Sequence, residues 1–117
     1  SFTCNIIIDP LTAEVNEKDE YLTAYYELRD VTCVFTTNYK TTGKNGGTTS
    51  ISSGATTSMT VNSSSGTLSS SWTVNTSSLE NWRFQGSVGM AIMTSDYSSA
   101  SNGVYKANVT ISLVVNT

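Results

Sequence analysis

The strongest constraint on the fold lies near the end of the chain. Tyr105, Ala107, Val109, Ile111, Leu113 and Val115 alternate with Lys106, Asn108, Thr110, Ser112 and Val114. A period of two puts the first set on one face of a pleated strand and the second on the other, whereas a helical period of 3.6 would scatter both sets. Shorter runs repeat the pattern. Met59 and Val61 alternate, and so do Leu68, Trp72 and Val74 with Ser70 between them. No stretch of helical period exceeds one or two turns. The pattern predicts an all-β chain.

Further strands are predicted over Thr3–Ile8, stopped by Asp9-Pro10, and over Leu11–Val15, Tyr21–Arg29, Thr32–Lys40, Ser58–Asn62, Thr67–Asn75 and Ser87–Thr94. In the Tyr21–Arg29 segment, Leu22, Ala24, Tyr26 and Leu28 share one face and Tyr21, Thr23, Tyr25 and Glu27 the other. Lys44-Asn45-Gly46-Gly47 reads as a tight turn, and Asn81–Phe84 as a short helical turn or a loop. Short strands separated by Ser/Gly turns indicate a β-sandwich. Residues 1–117 fit one domain, since a single core usually serves about 100–200 residues.

Composition narrows the function classes. Ser and Thr supply 38 residues, while charged residues are 13% and the net charge is -3. Alternation makes the hydroxyls the polar faces of strands rather than a disordered tract. Six Lys and Arg are too few for a phosphate-binding face, so no nucleic-acid partner is expected. With no His and two Cys, His-based catalysis and Cys4 or His-containing metal sites are excluded. An enzyme is the least favoured class, and no cofactor or metal is expected. Ser1 in place of an initiating Met fits a leader already removed, and with it a secreted, extracellular protein.

Cys4 and Cys33 fall in the first and third predicted strands. In a secreted all-β domain a disulfide is the natural reading, contributing roughly 3.5 kcal/mol by closing a loop of about 30 residues. Two buried thiols are the rival reading. The antibody pattern does not fit, because Trp72 and Trp82 both follow Cys33 instead of lying between the cysteines.

Three segments together resemble one family. Phe2-Thr3-Cys4-Asn5-Ile6-Ile7-Ile8 looks like the first strand of chaperone–usher pilins. Tyr25-Tyr26-Glu27-Leu28-Arg29-Asp30-Val31-Thr32-Cys33 is similar to the strand that leads to their second cysteine. Gly103-Val104-Tyr105 and the alternating run to Val115 resemble their last strand. The nearest likeness is to subunits of aggregative adherence and Dr/Afa fimbriae. It covers about half the chain; the middle, Thr41 to Ser101, carries no matching motif.

The resemblance implies an immunoglobulin-like Greek-key sandwich that lacks its final strand. A periplasmic chaperone would fill the gap first, at an outer-membrane usher, and a strand donated by the neighbouring subunit would fill it in the fibre. Carried onto this chain, Tyr105, Val109, Ile111 and Leu113 become the donor-strand groove. The bland alternative is that they fill a complete core. Only Ser1, Phe2 and Thr3 precede Cys4, so a tip subunit, a trimmed chain or a self-completing fold is expected. The implied place is a bacterial surface fimbria, with adhesion to a host glycan or protein receptor.

Other signals are weaker. Tyr21, Tyr25 and Trp82, with Tyr97, are candidate receptor-binding aromatics; the bland alternative has Tyr21 and Tyr25 covering a solvent-facing sheet and Trp82 plugging one end of the core. Trp72 reads as core. Asn16, Glu17, Asp19 and Glu20 offer oxygens for calcium but lack the spacing of a calcium loop. Glu17 and Glu20 share one short loop, unlike a glycosidase pair facing across a cleft. Three Asn-x-Ser/Thr sequons, at Asn62, Asn75 and Asn108, are what chance gives at this composition. Two further readings stay open: a self-complete carbohydrate-binding module, and an immunoglobulin-like cell-surface module.

Overall fold

A computed structural model describes residues 1–36, 45–50, 55–72 and 81–116, with side chains for all of these except 34–36, 45–50 and 81–82. The described chain is mostly antiparallel β-strand, as the alternation predicts. In order the strands are β1 (Phe2–Ile8), β2 (Leu11–Val15), β3 (Lys18–Leu22), β4 (Ala24–Thr36), β5 (Asn45–Ser50), β6 (Ser58–Val61), β7 (Gly66–Trp72), β8 (Asn81–Ala91) and β9 (Val109–Val115), with a short helix α1 (Thr94–Ser99) before the last.

One sheet runs β7-β1-β9, with β1 central. The second is built on β4. One edge of β4 pairs with β6 and, further along, β5; its other edge pairs with β8. β1 alternates without fault: Phe2, Cys4, Ile6 and Ile8 are buried and the residues between them half-buried. They form one core with Ala24, Tyr26, Leu28, Val31 and Cys33 of β4, Val61 of β6, and Leu68 and Trp72 of β7. The two sheets therefore face each other across this core.

β4 resolves an inconsistency in the sequence pattern. Its inward residues are even-numbered up to Leu28 and odd-numbered from Val31. A regular strand cannot do this, because its side chains alternate strictly. The register against β8 shifts between Arg29 and Thr32, and Asp30 takes φ 54°. One extra residue is thus absorbed in a bulge, with Asp30 in the left-handed position that a bulge of this kind requires. Gly86 stands opposite, where a Cβ would lie 3.0 Å from Val31 Cγ2. Two predicted strands, Tyr21–Arg29 and Thr32–Lys40, thereby become one long β4 as far as Thr36; Tyr39 and Lys40 lie outside the described residues.

The remaining differences are local. Tyr21 and Leu22 belong to β3, which forms a hairpin with β2 across Asn16 and Glu17. Both turn residues have positive φ, 51° and 65°, as a two-residue turn matched to strand twist requires. Asn45, Gly46 and Gly47 lie in β5 rather than in a turn; Lys44 lies outside the described residues, as do Thr73 to Asn75. Asn81–Phe84 opens β8 as strand, since pairing with Cys33–Thr36 overrides its local turn signal.

Cys4 and Cys33 are both buried in the core and stand as free thiols in this structure. They come from opposite sheets, Cys4 from β1 and Cys33 from β4, and meet in the same core. Burial pushes both thiols up from their ordinary value.

Candidate functional site

The two lateral sides of the fold differ. On the β6–β7 side the sheets are joined. Thr56 and Ser69 exchange two backbone hydrogen bonds of 3.0 Å, and a Cβ on Gly66 would lie 2.5 Å from Met59 Sδ. β7 flanks β1 on one edge and β9 on the other; β6 and β8 likewise flank β4 at the Tyr26 end. β8 and β9 therefore share the side away from this joint.

That side is open. Val109, Ile111, Leu113 and Val115 pair directly with Ile8, Ile6, Cys4 and Phe2, and directly paired residues point to the same face. All four β1 residues are at most 7% exposed, yet Ile111 is 70% and Leu113 48% exposed. One strand spacing, about 4.8 Å, carries the core face from dry to solvated. The facing strand repeats the pattern. Val88 and Met90 pair with buried Leu28 and Tyr26 but are themselves exposed. Among the described residues nothing closes the core between these two edges.

Among the described residues no strand pairs with the outer edge of β9. Ser1 and Asn116 exchange two hydrogen bonds of 2.9 Å, and Asp9 N donates to Asn108 O at 3.0 Å. Hydrogen-bonded pairs alternate in an antiparallel ladder. Even-numbered β9 residues thus turn their amides toward β1, and Val109, Ile111, Leu113 and Val115 turn theirs to the outer edge. Each of the four offers an apolar side chain to the core face and an N–H and C=O to an incoming strand.

Three of the four predicted groove residues, Val109, Ile111 and Leu113, are brought together here. Tyr105 is not. It precedes β9, packs by Gly103 and donates its hydroxyl to Ser101 O at 2.9 Å, because the chain between 105 and 107 pairs with Thr12 of β2 rather than with β1. The alternation could not show this change of partner. Val115, Val88 and Met90 were missed; only the pairing of β8 and β9 with buried strands marks them.

The aromatic trio is dispersed. Tyr25 lies on the outer face of β4 beside the Arg29–Glu27 ion pair of 2.6 Å; the Glu27 hydrogen bond raises the Arg29 pKa further. Tyr21 lines a separate hollow by Asp19 and Lys106. Trp82 pairs with Phe35 and Tyr25 with Ala91, which puts them about 30 Å apart along β4; the Trp82 side chain lies outside those described. Tyr97 is exposed on α1. Trp72 is core, stacked on Phe2 at 5.1 Å and edge-on to Phe84 at 5.2 Å.

No protein-family model, curated protein or solved structure matches this chain.

Proposed function

We propose that the chain is a subunit of a bacterial surface fimbria, with an incomplete immunoglobulin-like Greek-key sandwich that takes a strand from its neighbour. The observation that carries this reading is β9: its outward amides and its uncovered core-face side chains coincide on the same residues. This is the requirement for strand addition, in which main-chain bonds supply affinity and alternate side chains fill the gap. The likeness of both chain ends to chaperone–usher pilins points the same way. A periplasmic chaperone and an outer-membrane usher are then the assembly partners, and the fibre is exposed on the cell surface, where it adheres to host receptors. The chain has no catalytic role in this reading.

Fully burying an aliphatic side chain contributes about 1.5–3 kcal/mol. With roughly half of each side chain still uncovered, a donated strand gains on the order of 1 kcal/mol per residue at Val109, Ile111, Leu113 and Val115. A synthetic peptide alternating apolar and polar residues is expected to raise the melting temperature by ten degrees or more, on the order expected for several kcal/mol in a domain of this size. Ile111→Asp removes most of that rise while leaving the free protein folded, since the residue is 70% exposed. Equal stabilisation of wild type and Ile111→Asp, or none of either, would overturn the proposal.

A further inference from the structure

A second feature lies just before the start of β9, at Lys106 to Asn108. β3 pairs with β2, and β2 is bridged on its other edge to the segment around Lys106. Tyr21 pairs with Thr12, and Thr12 exchanges backbone hydrogen bonds of 2.9 and 3.0 Å with Lys106. Tyr21, Thr12 and Lys106 thus stand in one row on one face. Two strand spacings separate Tyr21 from Lys106, about 10 Å, which is enough for one pyranose ring. Asp19, two residues before Tyr21 on β3, shares the same face. A wall rises beside this floor, where Ser65 Oγ from the β6–β7 turn donates to Asp9 Oδ1 at 2.7 Å. Together they line a hollow of about 520 Å³.

We propose that this hollow binds an uncharged saccharide. Tyr21 is 48% exposed, although an aromatic ring gains by being covered. Its ring offers an apolar platform for the C–H face of a sugar. Around it stand acceptors in Asp9 and Asp19, a donor in Lys106, and the hydroxyl oxygens of Thr12 and Ser65, which can accept while their own protons go to Pro10 O and Asp9 Oδ1. A sugar hydroxyl both donates and accepts, so it finds partners of each kind within one ring width. Two carboxylates against one ammonium work against an acidic sugar, and the single excess charge is offset by the many hydroxyl contacts a neutral sugar can make. The neutral class is the one this lining fits.

The reading is independent of strand capture, and the test keeps the two apart. The full chain, labelled with 15N, is titrated with neutral oligosaccharides of galactose, glucose, mannose and N-acetylhexosamines, and with sialylated counterparts. Saturable shifts are expected at Tyr21, Thr12 and Lys106 with a neutral glycan. Tyr21→Ala should weaken binding tenfold or more, Tyr21→Phe should retain most of it, and Tyr25→Ala should leave it unchanged. Ile111→Asp should also leave it unchanged, so loss of donor-peptide binding does not carry over. The proposal is overturned by no saturable shift up to about 10 mM, a concentration already beyond millimolar affinity. Undiminished binding in Tyr21→Ala, or a preference for the sialylated forms, overturns it equally.

Discussion

At the scale of single residues, the core rests on a few side chains with no slack. Trp72 is 2% exposed and joins Phe2 of β1 to Phe84 of β8. Trp72→Ala is expected to cost about 3–5 kcal/mol, the usual range for a buried Trp lost to a cavity, measured as a fall in the urea midpoint. A loss below 1 kcal/mol would place the residue outside the packed core. Burial also raises the Cys4 and Cys33 thiols and the Tyr26 phenol. In each case the folded state holds its proton more tightly than the unfolded chain does. Their contribution is whole below the ordinary thiol value of about 8.5 and is lost as pH rises through the raised values, with Tyr26 following above about 10. The reduced protein should therefore unfold at lower urea at pH 10 than at pH 7. Equal midpoints would contradict the burial of these groups.

At the scale of elements, β4 shows how a strand changes inward parity without leaving its sheet. Asp30 at φ 54° makes the change. Asp tolerates the left-handed region better than most residues, and a β-branched residue does not. Asp30→Val should cost about 1–2 kcal/mol by thermal melt, while Asp30→Gly should stay close to wild type. If both behave alike, the bulge is not held by this dihedral. The two halves of β4 were legible from their alternation. Their union was not, because the sequence shows two patterns out of phase and only pairing with the continuous β8 joins them. The end of the chain shows the converse. Tyr105 to Val115 reads as one strand, yet Lys106 pairs with β2 and Val109 onward with β1. A regular alternation carries no mark of where its partner changes.

At the scale of the whole molecule, the unequal sides decide behaviour. The molecule measures 60 × 26 × 25 Å, and among the described residues β9 closes one sheet as an apolar edge with no strand paired to its outer amides. Native sheets normally blunt such an edge with charge, proline or a cover, because it templates pairing with other chains. β9 carries neither a charged residue nor proline. The free protein should therefore associate as its concentration rises, seen by sedimentation, and a saturating donor peptide should return it to monomer. A monomer at all concentrations without peptide would show the edge to be protected.

The amino-acid sequence by itself determined the strand content, the apolar faces of β1 and β9, and the core position of Trp72. Each of these follows from local alternation and side-chain chemistry. Exposure of the β9 face was decided by tertiary structure, because Ile111 and Ile6 have the same character in sequence and differ only in whether a strand of the opposite sheet covers them. The same holds for the hollow around Tyr21. Asp9, the Asp19–Tyr21 strand, Ser65 and Lys106 come from four separate parts of the chain, and only the β2–β3 pairing, the Thr12–Lys106 bridge and the Ser65–Asp9 contact put them around a single space.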